Sequence, residues 1–138
     1  MILVDLNQVM ISNLMVQLGN QAGELDENLF RHMILNSLRS NRSKFTDKFG
    51  ELVICCDDKN FWRRQRFPYY KANRKKYREE STVDWSTVFN TLNKVREEIR
   101  DYFPYKVIKI DTAEADDIIG TITTKYHSAE PILILSGD

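Results

Sequence analysis

Four short aliphatic runs constrain the fold most: "ILVD" at 2–5, "ELVICCD" at 51–57, "YKVIKID" at 105–111 and "PILILSGD" at 131–138. Each is rich in Ile, Val and Leu, and most are nearly continuous in apolarity, as strands buried on both faces are. The intervals between them carry helical periodicity. Asp26 is placed to cap a helix whose apolar face is Leu29, Phe30, Met33, Ile34 and Leu38. Trp85, Val88, Phe89, Leu92, Val95 and Ile99 repeat the pattern before Pro104 stops it. A third helix starts near Ala115, turns Ile118, Ile119, Ile122 and Tyr126 inward, and ends before Pro131. Strands alternating with helices join by right-handed crossovers. The expected fold is therefore α/β, a mostly parallel twisted sheet with helices on both faces.

The interval 58–82 breaks this rhythm. It has no steady apolar period and reads as a basic, arch-like excursion from the rim of the sheet, with a polar helix expected over about 71–80, "KANRKKYREE". Twenty basic and twenty acidic residues cancel over the chain, yet the stretch from Arg63 to Arg78 holds eight Lys or Arg and no acid. A neutral total thus hides a polarised surface.

A chain of 138 residues, 42% hydrophobic, suffices for one domain with a real core. No eighteen-residue apolar run occurs, and the first residues lack the basic region and cleavage site of a signal peptide, so a cytoplasmic protein without membrane contact is expected. The two cysteines, Cys55 and Cys56, are adjacent and read as reduced core residues, because a bridge between neighbours closes a strained ring.

The acids follow the strands. Asp5, Asp57 and Asp138 end three of the runs, and Asp111 ends the fourth just before Glu114, Asp116 and Asp117. In open parallel sheets the ligand site lies beyond the carboxyl ends of the strands, so these acids converge on one rim. A single Asp at a strand end is ordinary turn or cap chemistry. Acid delivered to one rim by every strand is different, because crowded carboxylates repel one another and need a cation. A helix N-terminus supplies only about 0.3–1 kcal/mol per favourable interaction. His32 and His127 fall on helical segments away from the rim, and a donor set of oxygens alone suits Mg²⁺ or Mn²⁺. Two ions, one nearer Asp5 and Asp57 and one nearer Asp117 and Asp138, would make a two-metal clamp on a phosphodiester.

The excursion complements that site. Its cations can hold a phosphate backbone, while Phe61, Trp62, Tyr69, Tyr70 and Tyr77 offer faces to unpaired bases. Arg63, Arg64, Tyr70, Lys71, Arg74 and Lys75 are the candidate nucleic-acid contacts, with Lys71 and Arg63 adding charge stabilisation at the attacked phosphate. Two other readings compete: a non-catalytic, metal-dependent nucleic-acid-binding module, and a small-molecule phosphatase, against which the basic aromatic excursion argues.

The segments "VDLNQ", "VICCDD" followed by "WRR", "YYKANRKKYREES", "EADD" and the final "LILSGD" occur in an order and spacing that resemble the 5′ nuclease (flap endonuclease) superfamily, in its branch of T-even phage ribonucleases H. The resemblance covers the whole chain. It implies a PIN-like catalytic domain, a 5′ to 3′ exonuclease and flap endonuclease with RNase H activity, and two Mg²⁺ ions, for which Mn²⁺ can substitute. It further implies that the enzyme removes RNA primers and 5′ flaps from lagging-strand fragments. Asp5, Asp57, Glu114, Asp116, Asp117 and Asp138 match the family's metal-site acids, direct or through water. Arg63, Lys71 and Arg74 match the basic residues at the base of the segment through which the 5′ strand passes. The implied partners are DNA with a 5′ flap or an RNA–DNA hybrid, a single-stranded DNA-binding protein and a sliding clamp, with the nuclease itself a monomer in the host cytoplasm. Residues 1–138 are expected to form the N-terminal part of the catalytic domain, without the C-terminal helical domain that grips duplex.

Overall fold

The computed structural model describes residues 1–20, 25–74, 78 and 84–136. In chain order it contains β1 (Ile2–Asp5), α1 (Leu6–Asn20), α2 (Glu27–Phe49), β2 (Leu52–Cys56), α3 (Trp62–Arg66), α4 (Trp85–Tyr102), β3 (Lys106–Lys109), α5 (Ala115–Tyr126) and β4 (Leu133–Leu135). The strands form a parallel sheet in the order β3-β2-β1-β4, with Leu3 opposite both Val53 and Ile134, and Ile54 opposite Val107. Parallel pairing sends every strand's carboxyl end to the same rim.

Side chains alternate across the sheet, so each strand feeds two cores. Ile2, Val4, Leu52, Ile54 and Cys56 pack with Leu6, Met10 and Leu14 of α1, Phe30, Ile34 and Leu38 of α2, and Val88, Val95 and Ile99 of α4. Leu3, Val53 and Cys55 pack on the other face against Ala115, Ile118 and Ile119 of α5. Helices on both faces are thus as expected, among the described residues three on one side and one on the other. The adjacent cysteines are both buried, and each belongs to a different core.

Several details differ from the sequence reading, among them Phe89 and Tyr126, read as inward yet 38% and 40% exposed. The outer strands are not buried on both faces: β3 is only partly covered, and Ile134 of β4 is 46% exposed, because each is an edge of the four-stranded order. On α2 the buried stripe is Phe30, Ile34 and Leu38, four residues apart, whereas Leu29 is 38% exposed. Helix α1 was not foreseen. It begins directly after β1, with Asp5 accepting a hydrogen bond from the Gln8 amide at 3.3 Å.

The helix ends follow local chemistry. Asp26 caps α2 by accepting from the Leu29 amide, Asp84 caps α4 by accepting from the Thr87 amide, and Gly50 closes α2 in a positive-φ conformation. Within the expected polar helix, residues 72–74 and 78 are helical, and the remainder of 71–80 apart from Lys71 lies outside the described residues.

Candidate metal and nucleic-acid site

The acidic rim forms where β1 and β2 end and α5 begins. Asp5 is 7% exposed at the last position of β1. Asp57 follows β2; one carboxylate oxygen accepts from the Asn7 side-chain amide at 2.7 Å and the other from the Ala115 amide at 2.5 Å. Asp57 therefore ties the first turn of α1 to the first residue of α5. Asp116 is exposed at the second position of α5, while Glu114, just before the helix, is 3% exposed. The Glu114 amide donates to Asp117 Oδ2 at 3.0 Å, which holds the helix start closed.

The basic segment folds onto this rim. Arg63, on the short helix α3, places Nη1 2.6 Å from Glu114 Oε2 and Nη2 2.6 Å from Asp117 Oδ1. Lys71 Nζ lies 2.7 Å from Glu114 Oε1, and the Tyr70 hydroxyl donates to Glu114 Oε2 at 3.2 Å. Trp62 donates its indole N–H to Asp117 at 3.2 Å, its ring lies under the Arg63 guanidinium at 4.4 Å, and its backbone amide donates to Thr112. Asp58 secures the turn before α5: it pairs with Lys109 at 3.2 Å and accepts from the amide of Thr112, which has a φ of 67°.

The electrostatics follow from these contacts. Burial raises the Glu114 carboxyl, but the hydrogen bond and charge of Lys71, with Tyr70 and Arg63, outweigh it and hold Glu114 below the usual range. Asp117 is lowered chiefly by its hydrogen bond to Arg63. Desolvation lowers Lys71 and Glu114 raises it, with a net rise, while Asp117 and Glu114 keep Arg63 firmly cationic.

The structure thus brings Arg63, Tyr70 and Lys71 into contact with Glu114 and Asp117, and Asp57 into contact with the first residue of α5. Arg64 and Arg74 belong to the same basic segment and are exposed; Arg64 lies over the Phe61 ring at 4.5 Å. Lys75, Tyr77 and Asp138 lie outside the described residues. Part of the cation that the acids call for is protein: Arg63 and Lys71 neutralise Glu114 and Asp117. Among the described residues, no three of His, Cys, Asp and Glu lie close enough together to hold one ion. His32 sits in α2 and His127 at the end of α5.

Asn7 and Asp58 escaped the sequence reading as site residues, and Trp62, read there as a face for unpaired bases, is here a partner of Asp117 and Arg63. Asn7 stands two residues after Asp5 within "VDLNQ", which puts it in the first turn of any helix that follows the strand directly. Trp62 immediately precedes Arg63. Asp58 carries no signal beyond its place beside Asp57.

The sequence model of the "5′-3′ exonuclease, N-terminal resolvase-like domain" family matches residues 28–138. The chain belongs to this family. It is 39% identical over 140 residues to the ribonuclease H of Enterobacteria phage T4, an alignment that covers 99% of this chain and 46% of the relative. Two bacteriophage T5 structures share its fold: a protein co-crystallised with metal ions (TM-score 0.74, 16% identity, 99% of this chain and 47% of that one) and a 5′-exonuclease with zinc bound (TM-score 0.71, 16% identity, 100% and 49%). A third, the T5 flap endonuclease in a pseudo-enzyme–product complex with DNA and metal ions, aligns with a TM-score of 0.69 at 18% identity over 99% of this chain and 48% of that one. This chain therefore spans about half the length of the relatives it matches.

Proposed function

We propose that the protein is a metal-dependent 5′ nuclease, a 5′ to 3′ exonuclease and flap endonuclease with RNase H activity that removes RNA primers and 5′ flaps during lagging-strand DNA synthesis. The observation that carries this reading is the contact of Arg63 and Lys71 with Glu114 and Asp117. Phosphate-binding cations and metal-type carboxylates stand within one hydrogen bond of each other, and metal-assisted phosphodiester hydrolysis uses both. Membership of the exonuclease family supports it, as does likeness to a phage ribonuclease H.

Carboxylate donors fit a hard divalent ion, Mg²⁺ or Mn²⁺. Asp5 and Asp57 end neighbouring strands, and Asp57 is hydrogen-bonded to the residue before Asp116. Asp5 and Asp57 would hold one ion and Asp117 and Asp138 another, with Asp116 and Glu114 joining directly or through water. When bound, two such ions supply the Lewis acidity that activates water and stabilises charge on the attacked phosphodiester. The protein's own groups do the rest. Asn7 and the Ala115 amide fix both oxygens of Asp57. Lys71 and Arg63 exchange part of their carboxylate contact for the incoming phosphate, and Arg64, Arg74 and Lys75 hold the strand that leads to it.

A hollow of about 670 Å³ opens at the far end of the sheet, lined by Met1, Gly50, Glu51, Lys106 and Pro131, whereas the acidic rim lies at the carboxyl ends of the strands. The basic aromatic segment folded onto that rim argues against a small-molecule phosphatase. The reading extends to a monomer acting in the host cytoplasm beside a single-stranded DNA-binding protein and a sliding clamp.

Gel-resolved cleavage of a 5′-labelled flap and a 5′-labelled RNA–DNA hybrid tests the function. Short 5′ products should require Mg²⁺ and disappear with EDTA or Asp116→Asn. Products that persist in EDTA, or at the full rate in the variant, refute the metal assignment; Mg²⁺-dependent binding without product favours the non-catalytic module. Lys71→Ala should slow cleavage and reduce the slope of log affinity against log salt by about one, as expected for one lost phosphate contact.

A further inference from the structure

The aromatic residues of the basic segment divide into two groups. Tyr70 is committed to the protein: its hydroxyl donates to Glu114 and its ring packs edge to face on Phe61, with centroids 5.9 Å apart. Phe61 is 8% exposed and has Arg64 above it, and Trp62 carries Arg63 on its face. Tyr69 is the opposite case. It is 92% exposed, and its ring makes no aromatic or cation–π contact among the described residues.

Its backbone is well fixed nonetheless. The Tyr70 amide donates to the Phe67 carbonyl at 2.9 Å, which makes residues 67–70 a β-turn with Pro68 second and Tyr69 third. Pro68 presets the turn, and the Tyr69 carbonyl then accepts from the Ala72 amide at 3.2 Å. A lone exposed ring is ordinary on a protein surface. This one projects from a hydrogen-bonded turn that opens with the 57%-exposed Phe67, with Arg66 before it in sequence and Lys71 and Arg74 after it.

Resting on the nuclease reading, we infer that Tyr69, and not Tyr70, is the platform on which an unpaired base of the 5′ strand stacks while Lys71 and Arg74 hold the adjoining phosphates. A ring held out from a fixed turn loses little conformational freedom on binding, and a base face covers the apolar surface that the fold leaves bare. Such a contact is indifferent to base identity, as a nuclease acting on strand ends of any sequence requires. Tyr70 is instead a positioning residue for Glu114.

The test is fluorescence anisotropy in EDTA with a 3′-labelled hairpin duplex bearing a 5′ arm of thymidines, compared with the same arm made of abasic residues. Tyr69→Ala should weaken binding of the thymidine arm roughly 5- to 150-fold, the range that stacking of one base spans, and Tyr69→Phe should bind as the parent does. On the abasic arm the parent and Tyr69→Ala should be equal. Unchanged binding of the thymidine arm overturns the inference, and so does an equal loss on both arms, which would report charge or folding rather than stacking. Because the comparison is read without cleavage, a protein that binds but never cuts with Mg²⁺ fails the nuclease reading while the two arms still decide the stacking.

Discussion

Arg63 is the residue on which the two halves of the site depend. Glu114 has a side chain only 4% exposed, so an unpaired charge there would carry a large desolvation cost. Arg63 spans Glu114 and Asp117 with one planar fork, which a lysine cannot do. Replacing it with Ala should lower stability by about 2 kcal/mol, a figure reduced from that of a fully buried pair because Arg63 is 28% exposed. Arg63→Lys should recover only part of the loss. Urea unfolding checks both, and a loss below about 0.5 kcal/mol for the Ala variant would place Arg63 among ordinary surface substitutions. Asp5 and Asp57 were legible in the sequence because each stands at the end of a strand, and Glu114, Asp116 and Asp117 because they crowd the start of an apolar helix. Their partners were not, since Arg63 and Glu114 lie 51 residues apart and no local pattern records the meeting.

Among the elements, α2 and α4 share one core and are joined at the surface by a bidentate Arg31–Glu98 pair, with the more exposed Lys94–Glu27 pair beside it. Arg31 Nε and Nη2 donate to the two oxygens of Glu98 at 2.6 and 2.9 Å, across 67 residues. The hydrogen bond from Arg31 holds the Glu98 carboxyl below its usual range. A carboxyl lowered in the folded state contributes stability that is complete above its unfolded value, about 4.3, and is lost as pH falls through the folded value. Glu98→Gln should therefore cost about 1 kcal/mol at pH 7, allowing for the one-quarter exposure of both side chains, and nothing near pH 2. Parallel urea titrations across that range check the sign, and a deficit that persists at low pH would mean packing rather than charge. The cap of α2 could be read from Asp26, but α1 escaped notice for a physical reason. Its buried stripe of Leu6, Met10, Leu14 and Gln17 is obscured by Met15 and Val16, which are apolar yet about half exposed. With no break after β1, Asp5 looked like a strand end alone and not also the start of a helix.

At the scale of the molecule, the parallel sheet separates two cores while directing every strand end to one rim, and Cys55 and Cys56 report on the two cores separately. Among the described residues, Cys55 belongs to the face covered by α5, and Cys56 to the face covered by α1, α2 and α4. Both thiols are fully buried. Burial pushes Cys55 up to about 12 and Cys56 up to about 11, so neither forms an appreciable fraction of reactive thiolate near neutral pH. Attack by an aromatic disulfide reagent therefore requires opening of the sheet itself. Because β2 carries both cysteines and pairs with both β1 and β3, the faces should open together. At pH 8 without denaturant, labelling should be negligible over minutes, and with rising urea both thiols should react along one curve that coincides with loss of far-ultraviolet circular dichroism. Mass spectrometry of the single cysteine variants Cys55→Ala and Cys56→Ala separates the two sites. If Cys55 labels before the circular dichroism changes and Cys56 does not, the face under α5 is a separate unit of lower stability, and the acidic rim at the start of α5 moves with that weaker face.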